Sequence, residues 1–328
     1  MNSVEVVTGA RLHFGLICGG PSSANRFGGI GVMLRTPRWV ISASQTKVSS
    51  CTAASAEVRQ RIETFLPELC QYLGIRGLCV SVRDEIPLHR GLGAGTQLTL
   101  ALASLGLVAG GRPRPASSMG LAGDLNRMRR SAVGTFGFDH GGFIVDDGQP
   151  GDQSDRLLHR CELPKKWHVV LIAPTGSAGL SGDREELVFR EERPMPEHLV
   201  KKQVCLIRES IVPAAQTHEF EGFRNALKEY GQNAGGFFAT QQGGVYSSSI
   251  IRRLSQTPDF EDLPMLQSSW GPTVAVFAHS PTSANEIVER VLRSSYASEL
   301  QCQIAEPLNS GAMVKSAAPQ HLDDVVRG

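Results

Sequence analysis

The chain has 328 residues, enough for two domains that each bury a core. Its 33 basic and 32 acidic residues give a net charge of +1, so charge offers no argument for binding nucleic acid or a membrane surface. The seven cysteines are scattered, and none forms a Cys-x-x-Cys pair. This pattern argues against a disulfide framework or a zinc site and favours a cytoplasmic protein. The longest apolar run, 98–109, is too short to cross a bilayer.

The first part of the chain predicts two strands and a helix. Hydrophobic patterns place them at 4–7, 39–43 and 58–73, and Gly74 ends the helix. Arg11 and His13 follow the first strand and would lie on one face of its continuation, because side chains alternate with a period of two. They are interpreted either as solvated residues of an edge strand or as two cations that face an anionic substrate.

A glycine-rich stretch at 28–31 follows Arg26. The glycines can serve a tight bend and nothing more. The Arg26 guanidinium is a candidate for bidentate contact with a phosphate or a carboxylate. Taken alone, either feature is more often structural than functional.

The clearest functional signal is the alternation of Gly91, Gly93 and Gly95, with Thr96 directly after it. A strand at 78–82 precedes this loop, and an apolar helix over 96–108 follows it. The first N–H groups of a helix lack carbonyl partners and carry partial positive charge, so a glycine turn that leads into a helix favours phosphate. The spacing fits neither a Walker loop nor a dinucleotide fingerprint, and a flexible loop is the alternative.

A second unusual stretch, 129–148, contains five glycines and opens on a basic pair. It also holds the hydroxyl of Ser131 and the titratable groups of Asp139 and His140. A polar glycine turn between apolar segments is typical of the wall of a site, and an ordinary hairpin is an almost equal alternative. A short strand is predicted at 143–145, before a polar segment that links two domains.

The second half of the chain predicts alternating strands and helices. Strands are expected at 167–173, from 273, at 300–304 and at 312–314, and helices near 197–211, 219–230 and 283–295. A polar glycine turn at 267–273 runs directly into one of these strands. The order of elements is that of an α+β sandwich.

Several stretches together resemble the GHMP kinase superfamily and, within it, the β-ribofuranosylaminobenzene 5′-phosphate synthases of the methanopterin pathway. The segment 87–96 resembles the phosphate-binding motif of the superfamily. The closer likeness is carried by 11–16, 26–31, 91–98, 130–134, 140–143 and 267–273. The resemblance implies an α+β, GHMP-kinase-like two-domain fold. Residues 1–155 would form an N-terminal βαβ-rich phosphate-binding domain, and residues 156–328 a C-terminal ferredoxin-like α/β sandwich domain.

The activity that this resemblance implies is decarboxylating phosphoribosyl transfer. The substrates would be phosphoribosyl pyrophosphate and either 4-hydroxybenzoate or 4-aminobenzoate, with Mg²⁺ to neutralise the leaving pyrophosphate. A homodimer is expected, and no metal ligand can be named. The kinases tend to have Ser-Ser after Gly-Leu-Gly, where this chain has Ala94 and Gly95, which argues against phosphoryl transfer from ATP. A GHMP-type kinase and a metabolite-binding relative without catalytic activity stay as alternatives.

The resemblance also implies roles for individual residues. Those expected to bind the pyrophosphate are Gly91, Gly93, Gly95 and Thr96. Those expected to bind the 5′-phosphate or the benzoate carboxylate are Arg26 and Arg130. The catalytic candidates, for proton transfer or metal contact, are His13, Asp139 and His140. Further substrate-binding candidates are Arg11, Ser131, Ser268, Ser269 and Trp270, the last of which would stack on the aromatic ring.

Overall fold

The structure is a computed structural model, and it describes residues 3–20, 27–125, 131–146, 148, 157–176 and 194–317. Its strands are β1 (Ser3–Cys18), β2 (Phe27–Thr46), β3 (Ser50–Thr52), β4 (Gly77–Asp84), β5 (Phe143–Asp146), β6 (Leu157–Cys161), β7 (His168–Pro174), β8 (Leu266–Gln267), β9 (Val274–Ala278), β10 (Leu300–Ala305) and β11 (Met313–Ala317). Its helices are α1 (Ala56–Leu73), α2 (Ala94–Ala109), α3 (Met119–Asp124), α4 (Val133–His140), α5 (Glu197–Leu206), α6 (Val212–Thr217), α7 (Phe220–Phe237), α8 (Ala239–Gln242), α9 (Ser249–Ser255) and α10 (Pro281–Arg293). A π-helical turn, Ile207–Ile211, joins α5 to α6, and a short 3₁₀ turn, Ala297–Glu299, precedes β10.

The larger sheet is built around β1 and β2. Within the described residues it has seven strands, in the order β11-β1-β2-β4-β3, and β5 joins β2 to β6. The first half of β2 pairs with β5 and its second half with β4, so one long strand serves two neighbours. β1 pairs with β2 along nearly its whole length, with irregularities at Gly9/Ala10 and between His13 and Leu16. Such bulges bend a strand and redirect its side chains.

Helix α2 lies in the core against β1 and β2. Its residues from Gln97 to Leu107 are all buried, which suits a helix that is apolar on every side. Helix α1 packs against α2 with Val58, Ile62 and Leu66, while its opposite face is polar. The Gly74 cap closes α1 in the left-handed conformation, as the sequence predicted.

The smaller sheet has the order β10-β7-β9-β8, and both of its faces are buried. Val170 and Val276 face a core formed with α9 and α10. Their neighbours Val169 and Phe277 face the main core, as the period of two in a strand requires. The Phe277 ring meets Phe14 of β1 at 5.8 Å, so the two sheets share this core.

Several sequence-based expectations need correction. The predicted polar turn is helical over Val133–His140, and Gly134 and Gly137 serve close packing there. A Cβ at Gly137 would lie 2.4 Å from Met33 Sδ, so a glycine pattern that looks like a turn is instead a contact face. The first strand is much longer than 4–7, because it continues through a bulge to Cys18.

The proposed boundary between 155 and 156 stays a prediction. The sheets do not follow it closely: β6 and β11 lie after it and yet belong to the larger sheet. Among the described residues, no helix combines the length and apolar character needed to span a bilayer.

Candidate active site

The glycine loop turns sharply before α2. Gly91 and Gly93 have φ values of 76° and 70°, a left-handed conformation that favours glycine. A Cβ at Gly91 would lie 2.2 Å from the carbonyl oxygen of Ser268, so no side chain fits at this position. A Cβ at Gly93 would lie 3.0 Å from Arg11 Cβ. The loop is therefore in tight contact with β1 and with the turn before β9.

The N-terminus of α2 is open to a ligand. No side chain caps it, and its first turn carries no acidic residue. The hydrogen bond from Gln97 N to Gly93 O, 3.2 Å, is the first of the helix, so the N–H groups of Ala94, Gly95 and Thr96 precede it. These groups and the helix dipole create a partial positive charge at the loop.

Buried hydrogen bonds hold this first turn in place. Trp39 Nε1 of β2 donates to Ala94 O at 3.1 Å. Gln97 accepts from the Thr8 hydroxyl at 2.6 Å and donates to Gly134 O at 2.7 Å. The N-terminal end of α2 is thereby fixed to β1, β2 and α4, which is the rigid support that a binding site needs.

Two arginines approach the loop. Arg11 extends from β1, and its Nε lies 3.4 Å from a Cβ placed on Gly93 and 3.5 Å from one placed on Gly134. Arg61 extends from α1, and its Nη2 lies 3.2 Å from a Cβ placed on Gly95. Both guanidinium groups add positive charge to the side of the loop where the helix dipole is positive.

The turn at 268–271 ties the smaller sheet to this site. Ser268 is fully buried; its hydroxyl donates to Gly91 O at 2.6 Å and accepts from His13 N at 3.1 Å. Ser269 N donates to His13 O at 2.7 Å. Trp270 is 6% exposed and packs edge-on against Phe238, with ring centroids 5.1 Å apart. Ser268 thus supports the loop, Ser269 joins the turn to β1, and any contact of these residues or Trp270 with substrate stays a prediction.

His13 is buried beside Arg11 on β1, with 5% of its surface exposed. Burial, aided by the charge of Arg11, lowers the pKa of the imidazole to about 3, so the ring is neutral near pH 7. Its Nε2 has no hydrogen-bond partner in the described structure and lies 2.7 Å from a Cβ placed on Gly29. A buried polar atom of this kind is costly unless something binds to it.

Two other predicted site residues, Asp139 and His140, lie apart from the loop. Asp139 and His140 are at the C-terminal end of α4, whereas Gly134, which contacts Arg11, is in its first turn. The Asp139 carboxylate accepts from Ser118 N and Oγ at 2.7 and 2.6 Å, and His140 is exposed. The Ser131 hydroxyl accepts from Val133 N at the start of α4.

The structure brings together Arg11, His13, the glycine loop and the 268–270 turn. Thr96 lies half-buried beside Gly134 in the first turn of α2. Arg26 and Arg130 lie outside the described residues, so their predicted roles stay predictions. Sequence reasoning missed Arg61, because it looks like an ordinary polar residue of an amphipathic helix. Only the packing of α1 on α2 places it at Gly95.

The described residues contain no large cluster of metal-ligating side chains. No group of three or more His, Cys, Asp or Glu side chains converges among them. The buried Asp146 accepts hydrogen bonds from Ala132 N and Gly148 N, and Asp139 is occupied by Ser118. The predicted Mg²⁺ stays a prediction, and phosphate substrates often bring such an ion with them.

Known structures define the class of fold. The chain matches mevalonate diphosphate decarboxylase from Staphylococcus aureus with a TM-score of 0.64 and 12% identity, covering 96% of this chain and 98% of that one. It matches homoserine kinase from Cytophaga hutchinsonii with a TM-score of 0.61 and 14% identity, over 96% and 98% of the chains. The protein has the GHMP-kinase fold, as the sequence motifs predicted.

The sequence is similar to three proteins named β-ribofuranosylphenol 5′-phosphate synthase. The relative from Archaeoglobus fulgidus is 28% identical over 303 residues, 88% of this chain and 91% of its own. The relative from Methanothermobacter thermautotrophicus is 28% identical over 68% of this chain and 73% of its own, and that from Methanocaldococcus jannaschii is 24% identical over 87% and 93%. No family model matches the chain. These similarities confirm the resemblance found in the motifs.

Proposed function

We propose that this protein is an enzyme of the β-ribofuranosylaminobenzene (or phenol) 5′-phosphate synthase type, acting in tetrahydromethanopterin biosynthesis. It would join phosphoribosyl pyrophosphate to 4-hydroxybenzoate or 4-aminobenzoate and form an aryl C-riboside 5′-phosphate. The observation that carries the proposal is the uncapped, basic N-terminus of α2 in a chain that is similar to such synthases over most of its length. Phosphoribosyl pyrophosphate, with its leaving pyrophosphate, is a ligand that such an end suits.

In this reaction the bonds form and break within the substrates, and none forms to the protein. The bond from ribose C1 to the pyrophosphate oxygen breaks, and the pyrophosphate keeps the electron pair. The ring carbon that bears the carboxylate then bonds to C1. The bond from this carbon to the carboxylate breaks, carbon dioxide leaves, and the electron pair restores the aromatic ring. Positioning the two substrates and stabilising the leaving anion are the main demands.

The residues near the loop meet these demands in different ways. The N–H groups of Ala94, Gly95 and Thr96 would stabilise the pyrophosphate as negative charge develops on it, with Mg²⁺ carried by the substrate. Arg11 adds a fixed positive charge beside them. His13, being neutral, would contribute a hydrogen bond from its unpartnered Nε2 rather than a charge. Its role as an acid or base in the reaction stays a prediction.

The decisive experiment measures carbon dioxide released from carboxyl-labelled 4-hydroxybenzoate by the purified protein with phosphoribosyl pyrophosphate and Mg²⁺. A parallel reaction uses labelled 4-aminobenzoate, and controls omit each substrate in turn. We expect release only when both substrates are present, and the faster benzoate identifies the acceptor. Pyrophosphate should form in equal amount.

Two other outcomes would contradict the proposal and indicate a different function. Transfer of the γ-phosphate of labelled ATP to a small alcohol, without carbon dioxide release, would assign a kinase activity. Binding of phosphoribosyl pyrophosphate without turnover of either benzoate would leave a metabolite-binding protein. Homoserine kinase shares the fold, which is why ATP belongs in the assay.

A further inference from the structure

Arg61 is a charged residue at the glycine loop to which the motifs assign no role. It lies on the half-buried edge of α1, beside the buried Ile62. Its guanidinium has no hydrogen-bond or ion-pair partner in the part of the chain that the structure describes. Glu57, one turn earlier on α1, is paired with His89 at 3.3 Å instead. Arg61 is therefore free to bind an anion that reaches the first turn of α2.

Gly95 supports this interpretation. Its backbone is not left-handed, so an ordinary side chain would be allowed there by conformation. Glycine inside a helix costs about 1 kcal/mol relative to alanine. The space that its missing Cβ leaves is bounded by Arg61 Nη2 at 3.2 Å and Cζ at 4.0 Å. The glycine keeps open the gap between this guanidinium and the first N–H groups of α2.

Arg11 and Arg61 reach adjacent points of one short segment. Arg11 lies at Gly93 and Arg61 at Gly95, and two residues of backbone span at most about 7 Å. One phosphate group at the helix N-terminus needs only one such arginine. Two guanidinium groups that lie beside one short segment suit a ligand that carries two linked phosphate groups, since each can bind its own phosphate.

We propose that Arg61 is a specificity-determining residue that binds the second phosphate group of a pyrophosphate and so distinguishes pyrophosphate from phosphate. The inference rests on the proposed function, in which pyrophosphate is the leaving group. Arg61 would hold the pyrophosphate of the substrate and of the product at the same place. The N–H groups of α2 and Arg11 would hold the other phosphate group.

The test is isothermal titration calorimetry of the full-length protein with inorganic pyrophosphate and, separately, with inorganic phosphate, in the presence of Mg²⁺. We expect Arg61→Gln to weaken pyrophosphate binding about tenfold or more, the usual effect of losing a hydrogen bond to a charged group. Phosphate binding should change less than about threefold. Arg61→Lys should recover part of the pyrophosphate affinity, because it keeps the charge without the bidentate geometry.

Arg59 supplies the matched control. It is exposed on the same helix, two residues away and therefore on a different face. Arg59→Gln changes the net charge by the same amount and should leave both affinities unchanged. Equal losses with the two arginine variants, equal losses of phosphate and pyrophosphate affinity, or no binding by the unaltered protein would each overturn the inference.

The carbon dioxide assay separates this inference from the proposed function. A protein that releases no carbon dioxide but loses selectivity for pyrophosphate with Arg61→Gln would refute the proposed reaction and support the role of Arg61. An active enzyme whose Arg61→Gln variant keeps both its pyrophosphate affinity and its KM for phosphoribosyl pyrophosphate would support the proposed reaction and refute the role of Arg61.

Discussion

At the scale of single residues, neighbouring glycines of one motif serve different physical ends. Gly91 is required by its left-handed backbone and by the carbonyl oxygen of Ser268. The backbone conformation of Gly95 would allow a side chain, and the missing Cβ leaves room for the guanidinium of Arg61. A motif that looks uniform in the sequence therefore combines a close backbone contact at Gly91 with an open space beside Arg61 at Gly95.

These two positions give a matched pair of alanine variants. Gly91→Ala should lower the free energy of unfolding by about 2–3 kcal/mol, because its Cβ overlaps backbone that cannot move freely. Gly95→Ala should change it by less than about 1 kcal/mol, and in the stabilising direction, since alanine favours a helix. Urea denaturation of both variants checks this. A Gly91→Ala protein as stable as the unaltered one would show that Ser268 does not hold the loop.

His13 should make the protein sensitive to acid. Burial lowers its pKa from the ordinary value of about 6.5 to about 3 in the folded protein, so the unfolded chain binds more protons between these limits. The contribution of His13 to the free energy of unfolding is therefore fully present above about pH 6.5. It is lost as the pH falls, by up to about 1.4 kcal/mol per pH unit.

Replacing His13 tests this. Urea unfolding between pH 4.5 and 8 should show a shallower dependence on pH for His13→Gln than for the unaltered protein. His198→Gln, at an exposed position of α5, is the control and should leave the slope as it was. Identical slopes in all three proteins would mean that the His13 imidazole is not held neutral by burial.

At the scale of secondary-structure elements, α4 connects two different environments. Its first turn, with Gly134, lies against Arg11 and Thr96, near the glycine loop. Its last turn holds Asp139, which accepts from Ser118 and pairs with Arg114 at 3.5 Å. Five residues of helix separate the two ends by about 7.5 Å. A structural role for the Asp139 carboxylate follows from its partners.

Asp139→Asn tests that role against the predicted catalytic one. We expect a loss of about 1–3 kcal/mol in the free energy of unfolding, because the amide cannot replace all of the hydrogen bonds to the carboxylate. The kcat and KM of the folded enzyme should stay nearly unchanged in the carbon dioxide assay. A drop in kcat of about 100-fold at full stability would instead assign the carboxylate to catalysis.

At the scale of the whole molecule, the larger sheet is completed by a strand from the far end of the chain. β11 pairs with residues 3–7 of β1, which would otherwise be an exposed edge. The N-terminal part of the sheet thus depends on residues more than 300 positions away. The site is affected as well, because β1 carries Arg11 and His13.

Removing β11 should therefore destabilise the sheet. A chain that ends at Ala312 loses five cross-strand residue pairs, which contribute roughly 0.2–1 kcal/mol each, so we expect about 1–5 kcal/mol less stability and a tendency to aggregate. A chain that ends at Ala317 keeps β11 and serves as the control. Thermal unfolding and light scattering distinguish them, and equal stability would contradict the proposed dependence.

The sequence alone predicted the fold class and many of the helices and strands. Apolar patterns placed α1, α2, β7, β9 and β10, because burial in a core selects apolar residues at regular or continuous positions. The glycine motif located the sharp turn before α2, because left-handed turns and close backbone contacts require that residue. The motifs together indicated the GHMP-kinase fold, which the known structures confirm.

Tertiary structure alone decided which side chains meet. Arg61 reaches Gly95, Ser268 reaches Gly91, and Asp139 turns to Ser118, and none of these contacts follows from a local pattern. The helix of α4 was also missed, since its glycines serve contacts with Met33 and Arg11 rather than turns. Contacts between residues distant in the chain depend on how the elements pack, and a local pattern carries only the preferences of its own segment.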